Sequence, residues 1–190
     1  GIGYEVLLKA FSDDRLLELF RPVIYGSSKS ASYYRKMMEG DPVNFHIISK
    51  ADESQDGKIN LVNCVRDEIR IEPGTASAEA GESAYIALDQ AAGDLANGKI
   101  DLMVTLPINK DSIQQEKFQF PGHTEFLEDR FAREGEKALM ILATEVMRVA
   151  LVTTHVPIAE VSSKLSKELI LEKLYTLDHS LKRDFLLENP

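Results

Sequence analysis

The strongest constraint on this chain is its alternation between short apolar runs of strand length and longer stretches with apolar residues at helical spacing. Val6, Leu7, Ala10 and Phe11 predict a helix starting near Tyr4, and Asp13 and Asp14 stand where they would cap a second helix carrying Leu16, Leu17 and Phe20. Residues 22–25, closed by Gly26, read as a buried strand, residues 28–38 as a helix, and residues 45–48 as the next strand. A polar, acidic stretch over 49–58 reads as an exposed loop. Residues 59–62 and 68–71 are spaced as an antiparallel pair. An alanine-rich helix is expected over 78–96, ended by Gly98, and a strand over 102–105. Beyond Pro121 a helix runs to Phe131, two apolar runs (138–142 and 148–153) flank a polar turn, and a final helix spans 166–185. Its stripe of Leu169, Ile170, Leu174, Leu177, Leu181 and Phe185 would serve a domain core or a subunit interface equally well. Strands alternating with helices predict an α/β fold with a mostly parallel sheet flanked by helices, and the hairpin-like pair makes that sheet mixed. Ligands in such folds gather where strands end, so the loops after strands are the places to search.

Charge and cysteine content narrow the partners. With 31 acidic against 22 basic residues and a net charge of −9, the average surface would repel nucleic acid and anionic membranes. A local basic pocket for a small phosphorylated substrate is still compatible with that balance. The single cysteine, Cys64, rules out an intrachain disulfide and reads as a small core residue. No apolar run has membrane-span length and no signal segment opens the chain, so the cytoplasm is the expected compartment and no membrane partner is expected.

The four histidines separate by context. His46 lies inside a strand run and reads as structural, while His179 lies among Asp178, Ser180 and Lys182 and reads as a surface residue. His155 follows an apolar strand and two threonines and precedes Val156-Pro157, so its ring is free to serve as a metal ligand or as an acid or base. His123 sits in Pro121-Gly122-His123-Thr124-Glu125, a turn in which Thr124 is placed to cap the following helix. That arrangement suits an anion or substrate site, and it equally suits a capped turn with a surface histidine. Lys110 closes Thr105-Leu106-Pro107-Ile108-Asn109-Lys110, where an ammonium would neutralise a phosphate or bond a substrate oxygen. Gly1-Ile2-Gly3 lacks the third glycine of a dinucleotide fingerprint and is not read as a nucleotide site.

Taken together these loops resemble the 4-hydroxythreonine-4-phosphate dehydrogenase family of vitamin B6 biosynthesis. The matching stretches are Gly1-Ile2-Gly3-Tyr4-Glu5-Val6, Val23-Ile24-Tyr25-Gly26-Ser27, Gly98-Lys99-Ile100-Asp101 running into Val104-Thr105-Leu106-Pro107-Ile108-Asn109-Lys110, Phe120-Pro121-Gly122-His123-Thr124-Glu125-Phe126, and Arg148 through Thr153-Thr154-His155-Val156-Pro157. They occur in the family's order, and the Gly-His-Thr-Glu and Thr-Thr-His-x-Pro stretches are specific.

The resemblance implies an isocitrate/isopropylmalate-dehydrogenase-like fold, a two-domain α/β homodimer with active sites at the subunit interface. It implies oxidation of the substrate's secondary hydroxyl with NAD or NADP, followed by decarboxylation to 3-amino-2-oxopropyl phosphate. His123 and Thr124 then match a substrate-binding pair, His155 matches one of three histidine ligands to a divalent metal (Zn, Mg, Mn or Co), and Lys110 is taken as catalytic. No residue is assigned to the dinucleotide. Tyr4 stands where the family commonly has proline, and Leu106 where it commonly has a small residue. The family's other metal histidines and a first strand are not found in these 190 residues. The expectation is therefore an incomplete piece, residues 1–190, of a two-domain dehydrogenase, with an internal boundary near 105–125 and no activity by itself. The alternatives are a dehydrogenase of another four-carbon phosphorylated hydroxy acid, of the erythronate phosphate type, and a non-catalytic ligand-binding remnant.

Overall fold

A computed structural model of the chain describes residues 2–38, 43–65, 70–114 and 118–190. The chain divides into two compact units, residues 1–131 and 132–190.

The first unit is α/β. Helix α1 (Gly3–Ala10) begins where the apolar spacing predicts, and a short helix α2 (Leu16–Leu19) follows. Strand β1 (Val23–Gly26) leads into α3 (Ser28–Met37), then β2 (Phe45–Ile48) and β3 (Ile59–Asn63). Helix α4 (Ala78–Ala96) is the longest element of the unit, and α5 (Lys110–Ile113) and α6 (His123–Phe131) complete it. Serine caps set two of these starts: the Ser27 and Ser77 hydroxyls accept from the backbone N–H groups of Ser30 and Ala80. Gly98, at φ +67°, ends α4 in the left-handed region. Its N–H donates to the Leu95 carbonyl and that of Lys99 to the Asp94 carbonyl, the paired bonds of a Schellman closure.

The sheet of this unit has the order β1-β3-β2 and is parallel throughout, with Ile24 and Ile47 both opposite Leu61. This corrects the antiparallel pairing expected for residues 59–62. Both edges of β3 are occupied by parallel neighbours, Arg70 and Ile71 lie in no strand, and residues 66–69 fall outside the described residues. The reason is burial: Ile59, Leu61 and Val62 are covered on both faces, which suits the centre of a parallel sheet better than a hairpin. Asn60, equally buried, accepts from the Gln55 N–H and points its amide at the carbonyls of Pro22, Gln55 and Lys58, so the strand carries a polar residue with its bonds made. The strand expected over 102–105 is a second correction. These residues are not hydrogen-bonded into a sheet among the described residues, and Leu102 and Val104 are 70% and 79% exposed. An apolar alternation becomes a strand only when a neighbouring edge accepts its bonds.

Two apolar clusters hold this unit. Leu7, Leu8, Phe11, Val43 and Ile59 form one, with Tyr4, Tyr34 and Leu106 packed on it. Leu88, Ala92, Ile113, Phe118 and Phe126 form the other, beneath α4, α5 and α6. Tyr25 on β1 donates to Asp94 on α4 at 2.8 Å, and the Lys99 ammonium lies 3.3 Å from the same carboxylate. Thus Tyr25 and Lys99, from two stretches that carry the family resemblance, meet in a structural tie. His46 is half-buried within β2, opposite Asn60. Burial raises the Cys64 thiol to about 11, in keeping with a packed, unreactive side chain.

The second unit contains an antiparallel ribbon of β4 (Ile141–Ala143) and β5 (Arg148–Ala150), then α7 (Ile158–Lys164) and α8 (Lys167–Arg183). The Thr144 N–H donates to the Met147 carbonyl, closing the polar turn. The Ser166 hydroxyl caps α8 by accepting from the Leu169 N–H. Arg148 lies over the Phe185 ring at 4.6 Å from its centroid, and Lys173 donates to the Ala138 carbonyl, tying α8 and its tail to the ribbon. His179 is exposed on α8, as its neighbours predict. No helix among the described residues is long and apolar enough to cross a membrane.

Candidate functional site

Lys110 is the first residue of α5, a single turn that exists because the Asn109 side chain accepts from the Ser112 N–H at 2.8 Å. Its far end is held by Ile113, which is 1% exposed in the second apolar cluster. The turn therefore has a fixed floor and a charged group at its start.

Helix α6 begins at His123, and the Gly122 carbonyl accepts from the Phe126 N–H, so Gly122 takes the capping position. Thr124 lies inside the first turn and is not the cap, a correction to the expectation from the sequence. Glycine is an acceptable cap, and the Pro121-Gly122 turn lets the helix start two residues earlier than a threonine cap would. Beneath the turn, Phe118, Phe120 and Phe126 meet at ring-centroid distances of 5.5 to 5.7 Å, with Tyr85 of α4 at 6.1 Å from Phe118. A rigid aromatic floor thus carries the start of α6.

These two pieces come together at Gly122. A Cβ placed there would lie 3.5 Å from a Glu125 carboxylate oxygen and 4.0 Å from the Lys110 ammonium nitrogen. Lys110, from α5, therefore stands beside the first turn of α6. Glu125 occupies the third helical position, from which a carboxylate reaches back to the cap. His123 and Thr124 are half-buried in this first turn, and desolvation of the His123 ring holds its pKa below the usual histidine value. A neutral imidazole, a hydroxyl, an ammonium and the electropositive end of a nine-residue helix are gathered at one place. That combination can bind an oxyanion and hydrogen-bond a hydroxyl or carbonyl.

The sequence pointed to Lys110, His123 and Thr124 separately, and the fold places all three around Gly122. Glu125 is part of the Gly-His-Thr-Glu stretch, and only the fold shows its carboxylate beside Gly122. Asn109, one residue before the helical turn of α5, carries a capping signature that the sequence displays.

His155 belongs to the second unit. It is exposed, lies in the loop between β5 and α7 five residues beyond the strand, and has φ +56°. Left-handed backbone is uncommon outside glycine and is enriched in histidine, and such conformations concentrate at functional loops. Among the described residues no group of three or more His, Cys, Asp or Glu side chains is arranged to hold a metal ion. One imidazole does not make a metal site. Gly3, in the glycine pair at the start of α1, lies beside Leu106, where a Cβ would make only an ordinary contact at 3.5 Å. A surface groove of about 560 Å³ lies along α4 between Tyr85 and Asn97, with Arg130 at its rim, and contains none of the residues singled out from the sequence.

The sequence model of the pyridoxal phosphate biosynthetic protein PdxA matches residues 18–190. A 4-hydroxythreonine-4-phosphate dehydrogenase of Bacteroides thetaiotaomicron is 47% identical over 190 residues, covering 100% of this chain and 52% of that protein. The enzyme of the same name from a Sulfurihydrogenibium species is 31% identical over 190 residues, with 57% of its length covered. The crystal structure of a 4-hydroxythreonine-4-phosphate dehydrogenase from Burkholderia phymatum superposes with a TM-score of 0.84 at 27% identity, over all of this chain and 57% of that one. The chain thus spans about half the length of the curated relatives it matches. With a family match over residues 18–190, nearly its whole length, the chain belongs to the PdxA family of pyridoxal phosphate biosynthetic proteins.

Proposed function

We propose that the protein carrying these residues is an NAD- or NADP-dependent 4-hydroxythreonine-4-phosphate dehydrogenase. It oxidises the secondary hydroxyl of the phosphorylated hydroxy acid, and the resulting β-keto acid loses carbon dioxide to give 3-amino-2-oxopropyl phosphate. The observation that carries this reading is the convergence of Lys110, His123 and Thr124 on Gly122. The reading includes a homodimer in the cytoplasm, and it assigns turnover to a longer polypeptide, with residues 1–190 inactive alone.

In this reading a bound nicotinamide would supply the hydride acceptor for the carbinol carbon, and none of the residues 1–190 is assigned to holding it. The Lys110 ammonium binds anionic oxygen of the substrate and favours the electron-rich oxygen that develops when the carboxylate leaves. His123, neutral because its ring is half-buried, offers one nitrogen as acceptor and one N–H as donor to substrate hydroxyl and carboxylate groups. Thr124 donates or accepts beside it, and the first-turn N–H groups of α6 add to the positive field. A divalent cation, when bound, would polarise the hydroxyl and ketone oxygens. The single imidazole of His155 does not by itself fit such an ion, so His155 is proposed as one donor of a larger set.

The test is NAD and NADP reduction by the complete protein supplied with the phosphorylated hydroxy acid, compared with residues 1–190 alone. Turnover by the complete protein, with KM raised on the order of 10–100-fold in Lys110→Ala and in His123→Ala, is the expected result. Wild-type KM in both variants overturns the site assignment, and turnover by residues 1–190 overturns the division of labour. Metal content of the complete protein, with and without His155→Ala, tests the ligand role separately; undiminished content removes it.

A further inference from the structure

We propose that the joint between α4 and α5, where Gly81 lies directly against the backbone of Ser112, positions Lys110 at the start of α6. Gly81 is buried in the first turn of α4, and a Cβ there would overlap the Ser112 carbonyl and stand 2.9 Å from the Ile113 nitrogen. These neighbours are backbone atoms, so they cannot rotate away as the end of a side chain would. A methyl group at Gly81 therefore has to push the whole turn of α5 off α4.

The displacement is transmitted because α5 is short and held at both ends. Asn109 caps it, Ile113 fills the core behind it, and Lys110 leads from it toward Gly122. Phe118 and Phe126, which pack with Ile113, hold the start of α6 from the same side. Gly81 is thus the contact that sets how far the Lys110 ammonium reaches, while touching no part of the site itself. Another glycine of the same helix behaves differently. A Cβ at Gly93 would meet only the end of the Arg130 side chain, at 3.8 Å, an ordinary contact.

This inference rests on the reading of Lys110 as a substrate contact, and the experiment separates the two. In the complete protein, KM and kcat for the phosphorylated hydroxy acid are measured for Gly81→Ala, Lys110→Ala, the double variant and Gly93→Ala. Gly81→Ala should raise KM by roughly tenfold with a smaller change in kcat, and the increment should vanish in the Lys110→Ala background. Gly93→Ala should leave both constants unchanged. Additive effects of Gly81→Ala and Lys110→Ala overturn the inference while leaving Lys110 as a substrate contact, and so does an unchanged KM in Gly81→Ala. An unchanged KM in Lys110→Ala overturns the reading of Lys110 and this inference with it. Should Gly81→Ala not accumulate as folded protein, Ile113→Val and Asn109→Ala loosen the same joint from the other side, and the same cycle against Lys110→Ala decides between coupling and additivity.

Discussion

The two units of this chain solve the problem of stability to different degrees. In residues 1–131 the central strand is covered on both faces, with Leu61 and Val62 fully buried, and two apolar clusters pack against the helices. In residues 132–190 none of the described hydrophobic side chains is buried, and Val146 and Ile158 are each 93% exposed. The second unit relies on the Ser166 cap of α8, one ribbon, Arg148 laid over the Phe185 ring and the Lys173 bond to the Ala138 carbonyl. Such contacts contribute about 0.5–1 kcal/mol each, against roughly 1–2 kcal/mol of backbone entropy for every residue fixed. The lesson is that secondary structure can be well specified where a core is not. Lys110, His123 and Thr124 stand on the packed unit, and His155 stands on the open one.

Hydrogen exchange on the 190-residue chain should give the largest contrast. Amides of β3 should be protected on the order of a thousandfold more than those of α8, a difference of about 4 kcal/mol in opening free energy. Equal protection would remove the distinction between the units.

Single truncations sharpen it. Leu61→Ala removes a fully buried side chain and should lower unfolding free energy by about 2–5 kcal/mol in denaturant titrations. Leu174→Ala, at a side chain that is 53% exposed in the second unit, should change it by less than about 0.5 kcal/mol.

The packing of the first unit is also specific at the level of atoms. The Tyr4 hydroxyl accepts from the Ser27 N–H and donates to the Ser27 carbonyl, and burial raises its pKa to about 12. A Cβ at Gly26 would collide with that hydroxyl. Gly26→Ala should therefore destabilise by about 1–3 kcal/mol, and most of that loss should disappear in a Tyr4→Phe background, where the colliding atom is gone. Tyr4 and Leu106 pack on the same apolar cluster.

The smallest effect concerns pH. Burial depresses the pKa of His123 in the folded state, so the unfolded chain binds the proton first as pH falls through the ordinary histidine value near 6.5. The full stability is present above that value and declines as pH drops toward the folded pKa. Between pH 7.5 and 5, thermal unfolding of the wild type should lose more Tm than that of His123→Gln; parallel curves would show that His123 is not desolvated.

The sequence by itself determined where most helices lie. Apolar spacing marks α3, α4 and α8, because it acts within a few residues, and the structure adds a capping serine one residue ahead of each. It also singled out Lys110, His123, Thr124 and His155, since unusual residues in Pro- and Gly-fixed loops are visible without a fold. Tertiary structure alone decided the partners of β3, because a ladder joins residues far apart in the chain and the same apolar run suits a hairpin or a parallel sheet. It decided that residues 102–105 are not a strand among the described residues, since alternation does not supply an edge. It also decided that Lys110 and Gly122 are neighbours. That proximity depends on Gly81 and Ile113 seating α5, contacts between residues no local pattern connects.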